Sequence, residues 1–358
     1  MAAPEAQAGV PELSGEKEEG AGTDSSPLLQ RLEPGRDANV DWELLTDSPG
    51  WQARDSQGEV AFDGKLWLLG GWYESFAAPP RDVWSSSTGV SWDKVTGAAG
   101  WKHSDFPMTA VFQDRMVIMG GWTNGRLPDH SASNEVWCSD DGASWKQLTD
   151  SAGWSKRLAA GITVFQDKLW ILGGTEDYYF GDASSLKNDV WCSSDGVEWE
   201  CVSESAPWAP RGYLRAVTLG DRMFVLGGGS YVFHGDEPGN PTGYIAYNDV
   251  WSSTDGQHWE EATSSAPWHP RIWFSSVAWR DRLWVIGGWS SEGLPGSEDQ
   301  AIVPVDAPNV QRSTGYGLSA EAGRNWNWGD VWYSEDGKEW YSWAQEAIVR
   351  APHALTTN

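Results

Sequence analysis

The sequence predicts an all-β protein built from one four-stranded unit repeated around a shared core. Three observations carry this. Short runs rich in Val, Ile, Leu, Phe and Trp alternate with clusters of Gly, Asp, Asn and Ser, the pattern of strands separated by tight turns. One motif recurs five times with unchanged internal spacing: "DVWSSSTGVSW" (82–92), "EVWCSDDGASW" (135–145), "DVWCSSDGVEW" (189–199), "DVWSSTDGQHW" (249–259) and "DVWYSEDGKEW" (330–340). Each copy follows a strand-like run that ends in two glycines: "KLWLLGG", "RMVIMGG", "KLWILGG", "RMFVLGG" and "RLWVIGG".

Within a unit the first strand is led by an Arg and closes on a short polar turn, as in "VFQDK" and "TLGDR". The second ends in Gly-Gly, the third opens on Asp-Val-Trp, and the fourth opens on the last Trp of the motif. Period-two alternation in the last two strands puts their large side chains on a buried face. The Asp-Gly between them signals a tight hairpin, because Gly takes the positive φ such turns require. A further Trp stands nine residues beyond each of the first four motifs, at 101, 154, 208 and 268, and Trp42 and Trp51 repeat that interval. Units of this kind predict a β-propeller, whose stacked blades share a core that no blade has alone.

Paired glycines followed by "NDVW" and a later Trp resemble the kelch repeat over roughly residues 40–358. The resemblance implies a kelch-type β-propeller, the type also seen in the central domain of galactose oxidase, with the two motif Trp packed between blades. Most of the 27 Trp then belong to the architecture. Five complete four-stranded blades are expected, plus a sixth, incomplete blade shared between the termini, with a closed five-bladed ring as the alternative. Its fourth strand would be "VDWELLTDSPGW" (40–51) and its first "RAPHALTTN" (350–358). The middle strands of that blade would come from the 289–329 insertion, from the tail, or from chain beyond Asn358. Residues 1–38, without an aromatic residue, read as a disordered acidic tail, and 39–358 as the propeller.

A formal net charge of −26 argues against a nucleic-acid partner, whose phosphates would be repelled. No run approaches the roughly 18–20 apolar residues that a membrane span needs. Cys138, Cys192 and Cys201 show neither a disulfide framework nor metal-ligand spacing. A cytoplasmic monomer without cofactor or metal is the expectation.

Up-and-down strand order puts the Gly-Gly loops and the inter-blade loops on one face, and the hairpins on the other. The hairpins are constant. The loops after Gly-Gly run 72–81, 122–134, 175–188, 229–248 and 289–329, that is 10, 13, 14, 20 and 41 residues. Length variation confined to one face marks it as the functional face. Its candidate ligand contacts are Trp72, Trp122 and Trp289 directly after Gly-Gly, and Tyr178, Tyr179, His234 and Asp236 in two aromatic and acidic loops. They could stack on a sugar, anchor a protein partner, or pack on neighbouring loops. Arg54, Arg157, Arg211 and Arg271 begin the innermost strands and would converge at the channel mouth, where guanidiniums suit an anion. An Arg here could equally bond structural carbonyls. The second repeat departs from this pattern: "GWKHSD" has Ser104 in place of Arg, flanked by His103 and Asp105.

The resemblance also brings expectations about chemistry. Copper-dependent members hold their metal with His and Tyr beside a Tyr–Cys cross-link, whereas Cys138 and Cys192 occupy scaffold positions here. Iron-dependent members carry Glu-x3-Asp-x3-His, which this chain lacks. The leading expectation is a non-catalytic propeller that binds a protein or glycan through the long-loop face. The alternative is a cofactor-free sugar-acid mutarotase or epimerase, similar to the bacterial sialic acid mutarotase, using channel Arg and the loop acids Glu176, Asp177, Asp236 and Glu237.

Overall fold

In the computed structural model, which describes residues 44–73, 77–125, 127–178, 183–232, 243–291, 310–314 and 325–344, each repeat folds into an antiparallel sheet. Blade 1 comprises Gly58–Phe62, Lys65–Leu69, Val83–Ser86 and Asp93–Thr96. Blade 2 comprises Met108–Phe112, Arg115–Met119, Val136–Ser139 and Lys146–Thr149. Blade 3 comprises Gly161–Phe165, Lys168–Thr175, Leu186–Ser193 and Glu200–Ser203. Blade 4 comprises Arg215–Leu219, Arg222–Val232, Gly243–Ser253 and Glu260–Thr263. Blade 5 comprises Ser275–Trp279, Arg282–Ile286, Val331–Ser334 and Tyr341–Ala344. The first strands pack one on the next in chain order, so each stands innermost.

Tryptophan joins the blades. The last Trp of each motif meets the preceding loop Trp edge to face: Trp51–Trp92, Trp101–Trp145, Trp154–Trp199, Trp208–Trp259 and Trp268–Trp340, with centroids 6.0, 5.8, 5.8, 4.6 and 5.9 Å apart. Such pairs add about 0.5–1.5 kcal/mol each beyond the area they bury. The first motif Trp donates its indole N–H to the carboxylate that opens the motif, as Trp191 does to Asp189 at 2.8 Å.

The Ser-x-Asp-Gly turn is self-contained. Ser193 Oγ accepts from the Gly196 N–H, and Asp195 Oδ1 accepts from the Val197 and Glu198 N–H groups. Those backbone donors hold the Asp195 carboxyl below its ordinary range. Close packing demands glycine here. A Cβ on Gly142 would lie 2.2 Å from the ring of Trp67 in the blade before it, and one on Gly256 2.1 Å from Trp170.

Five blades are present, and the seam between the fifth and the first is open among the described residues. Leu66 of blade 1 is 48% exposed, although its counterparts Met116, Leu169, Met223 and Leu283 are fully buried. Val277 of blade 5 is 48% exposed where Val217 is buried. Residues 44–50 form no strand. They nevertheless sit as the exit of a fourth strand would: Leu45 approaches Gly89 just as Leu148 approaches Gly196, and Trp51 meets Trp92. The expected closing strand at 350–358 lies outside the described residues. Where the insertion is described it supplies no middle strands for a sixth blade. Val310–Thr314 adds to the edge of Gly243–Tyr247, and Asn325–Asn327 pairs with Trp289–Ser291.

Candidate functional site at the channel mouth

Five equivalent residues form a collar where the inter-blade loops turn into the first strands. Ser56, Phe106, Ala159, Tyr213 and Trp273 all take positive φ, between 48° and 60° for the set (49, 49, 53, 56 and 59°). Non-glycine residues adopt this region at a conformational cost, so a repeated use of it needs compensation. Part of that compensation is a backbone chain from blade to blade: Phe106 N–H to Ser56 O, Ala159 N–H to Phe106 O, and Tyr213 N–H to Ala159 O, at 3.0, 3.2 and 2.7 Å.

The collar side chains close the mouth. Phe106 lies 5.1 Å from Tyr213 and 6.4 Å from Trp273, centroid to centroid, and Tyr178 packs on Phe106 at 5.7 Å. Trp122, Leu158, Ile272 and Trp289 complete this apolar cluster beneath. Trp122, Trp289 and Tyr178 are therefore buried in the plug and do not offer open stacking platforms. Trp72 is half-buried and pairs backbone to backbone with Asp55, and Tyr73 beside it is exposed. Tyr179, His234 and Asp236 lie outside the described residues, as does Glu237. Glu176 pairs with Lys187 at 3.0 Å.

The four arginines are engaged by the chain's own carboxylates and carbonyls. Arg157 uses all five of its N–H groups: to Ser155 O and Oγ, Gly173 O, and both oxygens of Asp189. Arg54 grips Asp82, Arg211 grips Asp249 and Arg271 grips Asp330, each through the same two-pronged contact plus two carbonyls. Planar guanidinium matched to planar carboxylate leaves little for a ligand. Burial alone would raise Asp189, but the Arg157 hydrogen bonds and charge outweigh it and hold the carboxyl below its usual range. Of the two uses that the sequence left open for these arginines, the hydrogen bonds described are the structural one: they pin each blade to its own loop.

The second repeat lacks the pin. Ser104 bonds Pro80 O instead, and Glu135, where Asp stands in the other repeats, accepts the Trp137 indole N–H at 3.1 Å and has His103 Nδ1 4.0 Å away in place of a guanidinium. Burial pushes His103 below the ordinary imidazole value despite Glu135. The next residue, Asp105, is 1% exposed. Ser56 Oγ stands 2.5 Å from Asp105 Oδ1 and 3.0 Å from Asp55 Oδ1, joining blade 1 to blade 2. Asp105 Oδ2 is buried and bonded to no partner among the described residues. Burial, with the Asp55 charge adding to it, pushes the Asp105 carboxyl up to about 8. Asp55 is exposed as a residue at the rim, yet the protein around its carboxyl desolvates it enough to raise it above the ordinary range.

Asp55, Ser56, Phe106, Tyr213 and Trp273 were not anticipated. A signal existed. Phe106, Tyr213 and Trp273 occupy one column, two residues after the Arg or Ser104 position, and only the turn geometry shows that this column faces the axis.

Fold and site together define a β-propeller whose channel mouth is plugged by aromatic rings on its long-loop face. No protein-family model and no curated protein matches the sequence. Among solved structures the chain is similar in fold to that of YjhT, with a TM-score of 0.56 and 13% identity over 79% of this chain and 82% of YjhT. Among the described residues no helix is long and apolar enough to cross a membrane, and no cluster of three or more His, Cys, Asp or Glu could hold a metal. Cys138 and Cys192 are buried and all three thiols are free.

Proposed function

We propose that this chain is a non-catalytic binding propeller that engages a protein partner through its long-loop face. The observation that carries the reading is the uneven height of that face. The second and third strands of blade 4 run on as a ribbon from Gly228↔Tyr247 to Val232↔Gly243, and Val310–Thr314 widens it to three strands. At strand rise this ribbon extends on the order of 13 Å past the blade. Blade 5 adds the Trp289–Ser291 and Asn325–Asn327 pair. Blade 1 has the shortest loop and exposes Tyr73 and Asp55. A wall beside a low ledge suits a folded partner. Trp122, Trp289 and Tyr178, which could have stacked on a sugar, are buried, which favours protein over glycan. The arginines that a sugar-acid enzyme would use are held by scaffold carboxylates.

A photo-crosslinking residue at Tyr73, on the ledge, and another at the equally exposed Val197, on the hairpin face, test the assignment. Saturable protein adducts are expected at Tyr73 and not at Val197, and they should disappear when the 289–329 loop is exchanged for the short 72–81 loop. Equal labelling at both positions would overturn the face assignment. Saturable acceleration of sugar-acid anomer exchange, followed by NMR, would overturn the non-catalytic reading.

A further inference from the structure

We propose that Asp55, Ser56 and Asp105 form a seat for a cationic side chain, an Arg or Lys of a protein partner, and that seating it expels a proton these three residues share. The proposal rests on the protein-binding reading above and names the chemistry of one contact.

Hydrogen-bond stoichiometry favours a shared proton. Ser56 Oγ contacts two carboxylate oxygens, at 2.5 and 3.0 Å. A hydroxyl carries one proton, so with both carboxyls ionised one contact would join two acceptors. A proton on one carboxyl relieves this clash: with Asp105 protonated, its O–H can donate to Ser56 Oγ while Ser56 donates to Asp55. The burial of Asp105 against the exposed Asp55 places the proton on Asp105.

A second observation points to a ligand. Asp105 Oδ2 is an acceptor shut away from water with no donor among the described residues, and such an atom is costly to leave unpaired. The chain's own cations nearby are committed elsewhere. Arg54 is held by Asp82 and Gly70 O, and His103 faces Ser131 and Glu135. Of the neighbouring acids, Glu59 takes a hydrogen bond from Gln57, and only the Asp55 charge acts on Asp105. An incoming guanidinium or ammonium would offer donors to Asp105 Oδ2 and to Asp55 together. The only bond broken is the Asp105 O–H, whose proton leaves to solvent as the carboxylate pairs with the cation. A chain of net charge −26 also draws a basic partner towards it.

The probes are acetyl-Gly-Arg-Gly-amide, its citrulline counterpart and calcium chloride, titrated into the full chain by calorimetry in buffers of different ionisation enthalpy. The Arg peptide is expected to bind with release of up to one proton. Its affinity should rise about tenfold per pH unit and level off above about pH 8. Citrulline should bind at least about tenfold more weakly, because it keeps the shape and loses the charge. Asp105→Asn should remove the pH slope. Ser56→Ala should shift the pH at which affinity levels off, because that hydroxyl bridges the two carboxyls, and it serves if the first variant does not fold. Equal citrulline binding, absent proton release, or an unchanged slope in Asp105→Asn would each overturn the proposal. So would calcium binding with proton release while the peptide stays silent. Crosslinks at Tyr73 beside a silent peptide would sink this seat and leave the binding face standing. Peptide binding without crosslinks would do the reverse.

Discussion

Arg211 Nη1 and Nη2 stand 2.5 and 2.9 Å from the two carboxylate oxygens of Asp249, fastening the loop that leads into blade 4 to that blade's third strand. Both residues are buried, and Arg211 also lies 3.6 Å over the ring of Tyr247. Truncating one partner strands the other's charge, so Arg211→Met or Asp249→Ala is expected to destabilise the fold by about 3–5 kcal/mol. The exposed Arg222–Glu260 pair, at 3.4 Å, should yield about 1 kcal/mol or less. Urea unfolding of the two sets decides the matter, and equal losses would refute the pin.

Acid should loosen these pins. Burial raises Asp82 and Asp189, but their Arg contacts outweigh it and depress both carboxyls in the folded state. Groups depressed on folding contribute stability that is full above the unfolded value, about 3.9, and is lost as pH falls through the folded one. Unfolding midpoints should therefore drop steeply below about pH 4, and less steeply in a variant lacking the Arg157–Asp189 pair.

Asp105 has the opposite sign. Its folded carboxyl is raised to about 8, so the folded state binds the extra proton and loses stability as pH climbs from the unfolded value towards 8. Asp105→Asn should raise stability at pH 7–9, on the order of a few kcal/mol at most, and change little near pH 4. Thermal melts across that range read the difference directly.

Hairpin glycines separate crowding from backbone strain. Gly142 and Gly256 have φ of 72 and 75° and a Trp ring within 2.2 Å of any added Cβ, whereas Gly64, at 67°, faces open space. Gly64→Ala should lose about 1–2 kcal/mol from backbone strain alone, and Gly142→Ala roughly 1–3 kcal/mol more from overpacking. Similar losses at all three would mean that Trp67 and Trp170 yield freely.

The blades were legible in the sequence because their determinants are local. Alternation in "KLWILGG", the Ser193-Asp195-Gly196 turn and the nine-residue step from Trp199 to Trp208 each act within a few residues. The role of the loop Trp was legible for the same reason, since a fixed step along the chain repeats a fixed contact in space. The break at Ser104 was visible too, and Asp105 beside it is where the structure gathers the buried acid.

By itself the sequence determined the unit, its four strands and the face on which length varies. Only the tertiary structure decided what the side chains on that face do. The partners of Arg54 and Arg271 lie 28 and 59 positions away, and bidentate geometry turns apparent ligand-binding groups into pins. Phe106, Tyr213 and Trp273 form an aromatic column in the repeat, but the column alone does not say which way it faces. They meet because their shared column, two residues after Arg or Ser104, is aimed at the axis by a strained backbone turn, where rings from blades 2, 4 and 5 fill one mouth and Ser56 binds Asp105 across 49 positions.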